Sequence, residues 1–269
     1  MLILCRIRRG LIGCLLLFCV LSFPTRTFAQ EPYSAQEPYS AHEPFYGMPR
    51  RFSLELSTKL MERDVTENAF TYGGEPISKT HASPTSARLL AKLAVDITPN
   101  LQVYGLIGGS TLRVDEFDSY DADLGVAYGG GLKISVYPET FYAPVKLFLD
   151  FNVLQFKTDD TILFCPNCVT PGGPADETIR WTEYVATFGM SARQGFFEPY
   201  GGVRVSFVRG KDHIPTSTQT LDLDFSEDIP IGLFAGTDIY LDRREQTALF
   251  VEANVIDENS IAGGVKVRF

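Results

Sequence analysis

The chain has 269 residues, 45% of them hydrophobic and 21% charged, with 20 Phe, 12 Tyr and 23 Gly, so it holds enough apolar mass for a packed core and is not disordered by composition. Its formal net charge is −9, and no basic face is available, which excludes a nucleic-acid binder.

At the amino end, Arg6, Arg8 and Arg9 precede an apolar run from Leu11 to Phe23, shorter than the roughly 20 residues a spanning helix needs. Thr27-Phe28-Ala29 follows as a small-x-small cleavage pattern, so residues 1–29 read as a secretory signal peptide and the mature chain as starting at Gln30 with net charge −13. Residues 30–49 hold a drifting hexapeptide repeat, Gln30-Glu-Pro-Tyr-Ser-Ala and its copies, whose regular proline forbids helix and central strand alike; an extended spacer or tail is expected there.

From residue 50 to 269 the hydrophobic pattern has period two. Phe52, Leu54 and Leu56 alternate with Ser53, Glu55 and Ser57. Leu89, Ala91, Leu93, Val95 and Ile97 alternate with Arg88, Lys92 and Asp96, and the pattern recurs over 124–136, 145–153, 178–192, 199–209, 229–241, 247–256 and 259–269. With the Gly-rich stretch 101–112, this predicts ten strands, eight being the other count considered, each near the length a tilted strand needs to cross a bilayer. Short turns near 98–100, 137–143, 193–198 and 242–246 alternate with long segments at 63–85, 115–121, 158–178 and 209–228, and the short turn at Asp257-Glu258-Asn259 breaks that alternation. The expected fold is all-β: an up-and-down antiparallel transmembrane barrel, with turns in the periplasm and loops outside. A soluble sandwich also alternates, but closure accounts for both the apolar and the charged face of these strands. The inward charges expected to form a lumen network are Lys92, Asp96, Lys133, Lys146, Asp150, Arg204, Asp238, Glu252, Lys266 and Arg268; near-equal numbers of both signs favour pairing over an open water path.

The chain ends Ala262-Gly-Gly-Val-Lys-Val-Arg-Phe269, with Val265, Val267 and Phe269 on one face. This resembles the closing strand of outer-membrane barrels, and Phe197-Glu-Pro-Tyr-Gly-Gly-Val-Arg-Val205 is similar to a strand of OmpA-type and opacity-type small barrels. The resemblance implies the outer membrane as location, outer-membrane lipids as surroundings and the barrel-assembly machinery as a partner reading Val265, Val267 and Phe269. It implies no activity, and ten strands depart from the usual eight.

Of the five cysteines only Cys165 and Cys168 lie outside the signal region, and a small loop disulfide is expected, with free thiols, a metal site and redox work as the weaker readings. The long segments carry −12 of the mature charge, so the outside is expected to be acidic, with divalent cations shared with lipopolysaccharide phosphates as candidate partners and a plain solvated surface as the simpler reading. His81-Ala82-Ser83 and Asp212-His213 are chemically conceivable catalytic pairs, but they are expected in loops, so no enzyme and no cofactor is inferred. A monomeric structural, envelope-integrity or surface-interaction protein is expected, with a narrow diffusion pore as the alternative and a barrel enzyme acting on lipid A or peptides as the weaker reading.

Overall fold

The computed structural model describes residues 52–68, 70–72, 75–77, 80–114, 120–136, 145–163, 174–215 and 220–269. The signal peptide, the repeat tract, Cys165, Cys168 and the acidic run 115–118 lie outside the described residues. Every described element is a strand: β1 (Phe52–Glu62), β2 (Val65–Glu67), β3 (Phe70–Tyr72), β4 (Glu75–Ile77), β5 (Thr80–Ala82), β6 (Thr85–Thr98), β7 (Leu101–Val114), β8 (Tyr120–Val136), β9 (Val145–Leu163), β10 (Pro174–Ala192), β11 (Phe197–Pro215), β12 (Thr220–Glu227), β13 (Ile231–Tyr240), β14 (Thr247–Val255) and β15 (Asn259–Arg268).

Ten strands close the wall in the order β1-β6-β7-β8-β9-β10-β11-β13-β14-β15, all antiparallel, and β15 pairs back onto β1 with Leu56 opposite Val265. The count is ten rather than eight. Its outer surface is apolar because alternate residues face lipid: Leu56, Leu93, Ile107, Val126, Phe188, Val203, Leu233 and Val251 are all exposed. Phe52, Phe196, Phe197 and Phe269 ring the end that holds the chain terminus, and Tyr184 and Phe207 mark the opposite border on β10 and β11. Val265, Val267 and Phe269 share the outward face of the last strand, and the Phe269 amide donates to the Phe52 carbonyl at 3.0 Å.

The long segments differ from the loops expected. The strands β9, β10 and β11 each run 19 residues, about 60 Å of chain against an apolar band roughly 25 Å tall, so the wall continues well past the membrane. The hairpin β14–β15 stops short, with its turn at Ile256–Glu258. Above that turn β2 pairs with β12, Thr66 opposite Ser226, and eight strands continue where ten began. Three chain breaks sit at this step: Arg63-Asp64, Ser83-Pro84 and Asp228-Ile229-Pro230. Proline cannot donate to a ladder, so it belongs at such breaks. The carbonyls of Pro84 and Pro230 instead accept from the amides of Arg63 (3.1 Å) and Ser206 (2.7 Å).

Past the step the polarity of the wall inverts. On β10 the outward residues Met190, Phe188 and Tyr184 give way to Thr182, Arg180 and Thr178, while the inward side becomes Trp181 and Ile179. The inward side chains of the outer tier form one apolar core, with Met61, Leu112, Leu154, Phe156, Trp181, Val208 and Leu223 all buried. Trp181 stacks on Phe156 at 5.7 Å between ring centres and meets Phe225 at 5.4 Å; Phe225 in turn fills the space left by Gly210, where a Cβ would fall 1.6 Å from the ring. The period-two signal was the same in both tiers, and only the identity of the wet face changed.

Candidate functional site

Between the membrane tier and the apolar core lies a layer of buried charge. Lys59 on β1, Arg63 at the β1–β2 break, Arg88 on β6 and Arg204 on β11 supply the cations; Glu183 on β10 and the turn residues Asp257 and Glu258 supply the carboxylates. Glu183 takes a guanidinium on each oxygen, Arg63 at 3.2 Å on Oε1 and Arg88 at 2.8 Å on Oε2, and Arg204 adds a third contact at 3.2 Å. Glu258 accepts from Arg63 at 2.6 Å, Arg204 at 2.7 Å and Ser260 at 2.9 Å, and Lys59 lies 2.5 Å away. Asp257 accepts from Ser206 at 2.9 Å and lies beside Arg204 Nε.

Local sequence explains how the two acids reach the lumen. Ile256 adopts φ +85°, a left-handed conformation that a β-branched residue resists, and this sharp turn puts Asp257 and Glu258 inside while its own side chain stays exposed. Gly232 makes the seat: a Cβ there would stand 1.8 Å from Asp257 Oδ1. Such a layer is expensive to assemble, because seven charges leave water; once assembled, removing any partner strands another in a dry site. The Nε and Nη1 atoms of Arg63 and the Nε and Nη2 atoms of Arg88 face no protein acceptor among the described residues.

Of the lumen charges named from the sequence, all face inward, and the structure joins them in smaller groups. Lys266 donates to Asp238 at 2.8 and 3.1 Å and lies 4.5 Å from the Phe250 ring centre. Tyr104 donates to Asp150 at 2.5 Å while Lys92 sits 3.8 Å over its ring; Lys133 lies 4.3 Å over Phe148. Asp96 accepts from Gln102 at 2.8 Å, Glu252 from Asn254 at 3.4 Å, and Lys146 lies 3.6 Å from Glu198. Arg268 faces the mouth at the terminal end, and only Arg204 belongs to the buried layer. Sequence reasoning missed Lys59, Arg63, Arg88, Glu183, Asp257 and Glu258 as a group. Glu183 and Lys59 had the right parity, but Arg63 and the two turn acids read as loop.

His81 and His213 lie on strands, not in loops. His81 on β5 faces Thr66 and Asp228, at 3.0 and 3.1 Å, and Thr66 also donates to Asp228; both contacts of His81 use Nδ1. A relay has the acid on one ring nitrogen and the nucleophile on the other, an arrangement these three residues do not show. Ser83 instead donates to Asp64 at 2.7 Å. His213 meets Asp222 at 2.7 Å on the outer surface, whereas its neighbour Asp212 points into the core, so Asp212 and His213 are not a pair across one site. Burial pushes the Asp212 carboxyl up to about 6, against the opposing pulls of its hydrogen bond with Glu177 and of His213.

Not every acid of the long segments stands free on the exterior. Glu177 and Asp212 are buried, and Asp160 accepts from the amides of Asp121 and Thr161, so part of the long-segment charge is not on the surface as free carboxylate. Hydrogen bonds from Lys157 and Thr178 hold Asp159 below the usual carboxylate range. No cluster of three metal-ligating side chains occurs among the described residues.

No protein-family model matches the chain, and no curated protein sequence matches it. Solved structures do. The outer membrane protease OmpT of Escherichia coli superposes with a TM-score of 0.52 over 82% of this chain and 98% of its own, at 10% identity. The β domain of the Bordetella autotransporter BrkA gives 0.49 over 81% of this chain and 100% of its own at 13% identity, and OprG of Pseudomonas aeruginosa gives 0.46 over 81% and 95% at 10%. The likeness is one of fold. A closed ten-stranded wall, an apolar outer band with aromatic borders and this likeness together define a transmembrane β-barrel of the outer-membrane kind. The fold is that of an outer-membrane β-barrel, closed by ten strands.

Proposed function

We propose that this protein is a closed, non-conducting barrel that serves the envelope as a structural and surface-interaction element, presenting the outer tier beyond the membrane. The observation that carries this reading is the Glu183–Asp257–Glu258 layer with its four cations, which fills the lumen below an apolar core anchored on Trp181. An ion moving along the axis would have to displace both, and at ten strands side chains fill most of the bore. No catalytic role is proposed, since the His81 and His213 contacts lack a two-sided relay. The test is reconstitution of the full chain in planar bilayers. No discrete conductance steps are expected; stable steps that change when Lys133 or Lys146 is neutralised would replace this reading with a narrow diffusion pore.

A further inference from the structure

The outer wall of β9, β10 and β11 carries an arrangement that folding alone does not favour. Arg180 on β10 lies directly opposite Lys157 on β9 and Lys211 on β11, so three cations stand side by side across three strands. Like charges directly opposite one another destabilise a sheet. One pair of residues nearer the membrane, Thr182 lies opposite Arg209, adding a fourth cation. All four are exposed. Lys157 is bridged to Asp159 at 2.8 Å, and Asp224 stands opposite Lys211, but Arg180, Arg209 and Lys211 make no ion pair among the described residues.

The level of this row is informative. Two positions below Thr182 on β10 is Tyr184, opposite Phe207 and Val153, the last outward apolar residues of these strands. On these three strands the cations therefore begin about 7 Å along the chain past the last outward apolar residue and are spread over about 10 Å of wall, beside the still apolar Val126 and Leu124 of β8, where lipid chains meet headgroups. On the same strands the next outward row, Asp159, Thr178 and His213, already bears a carboxylate.

We infer that Lys157, Arg180, Arg209 and Lys211 form a binding site on the barrel wall for the phosphate groups of an outer-leaflet glycolipid, whose acyl chains lie along Tyr184 and Phe207. The guanidinium of Arg180 suits phosphate oxygens through paired donors, and the flanking lysines add charge from both sides. A phosphorylated headgroup adds to the carboxylates that Asp159 and Asp224 place at the edges of the row and relieves the repulsion at its centre, Arg180. The site rests on the loop end facing outward and is independent of whether the lumen conducts.

The test uses the full chain in lipid nanodiscs of neutral phosphatidylcholine alone, with added bisphosphorylated lipid A, or with the same glycolipid after phosphatase treatment. The readout is the temperature at which the barrel loses its heat-resistant gel mobility. The wild type should gain several degrees from the phosphorylated glycolipid and none from the dephosphorylated one. The R180Q/K211Q variant should lose at least half of that gain, yet be no less stable than the wild type in neutral discs, since a like-charge row has been removed; this sign reversal separates lost binding from lost folding. Arg243→Gln, in the turn at the other end, should keep the gain. An undiminished gain in R180Q/K211Q, an equal gain from the dephosphorylated lipid, or an equal gain from inorganic phosphate in neutral discs would each overturn the site.

Discussion

The two tiers of this barrel use one strand to solve opposite problems. Along β11, Phe197, Val203 and Phe207 face lipid while Glu198, Arg204 and Ser206 face the lumen; a few residues on, Arg209, Lys211 and His213 face water while Val208 and Ile214 pack inward. Alternation is a property of the backbone, but which face must be apolar is decided by the solvent outside. The charged layer sits where the two regimes meet, because there the lumen residues are still polar while the core above has become dry.

Cutting the junction should have the largest effect. Glu258→Gln leaves Lys59, Arg63 and Arg204 short of a carboxylate in a buried site, and a loss of about 3–5 kcal/mol is expected in urea unfolding of the micelle-folded barrel. A loss near zero would mean that the layer is hydrated and the two tiers are mechanically separate.

The inversion itself is tested by one substitution made twice on β10. Phe188→Arg places a charge on the lipid face and should cost about 2–4 kcal/mol, whereas Thr182→Arg, on the same face beyond the band, should cost no more than about 1 kcal/mol, the repulsion that Arg209 opposite adds. Equal costs, by the same unfolding measurement in bilayers, would erase the boundary between the tiers.

The outer core carries a pH signature of its own. The Asp212 carboxyl titrates near 3.8 when unfolded and about 6 when folded, so its contribution is fully favourable below pH 4 and is lost as the pH rises through 6. Asp212→Asn keeps the shape and a hydrogen bond for Glu177 while removing the ionisation, and should stabilise the barrel by about 2 kcal/mol at pH 8 and by nothing at pH 4. A pH-independent difference would show that Asp212 is not desolvated.

Much of the membrane tier was legible, because lipid on one side and a polar lumen on the other give each strand a clean alternation; Leu89 to Ile97 and Val145 to Val153 are of this kind. The outer tier was read as loop for a physical reason. Its strands are interrupted at Pro84 and Pro230, and charged residues such as Arg209, Lys211 and Asp222 alternate with inward Val208, Ile214 and Leu223, a pattern a lipid-facing expectation does not recognise. The charge layer was half visible: Arg204 showed by parity, but Asp257 and Glu258 reach it through the positive φ of Ile256, which no alternation encodes. The repeat tract and the Cys165–Cys168 loop lie outside the described residues.

The two turn acids belong to the last hairpin of the chain, made after every cation they neutralise. Until β14 and β15 dock, Lys59, Arg63, Arg88 and Arg204 have a single carboxylate of the layer, Glu183, among them. Closing the ring and balancing the lumen charge are therefore one event, and a chain that stops before Ile256 carries an open seam and an excess of three positive charges at its centre. The β14–β15 hairpin thus brings two of the layer's three carboxylates in the same step that seals the sheet against β1.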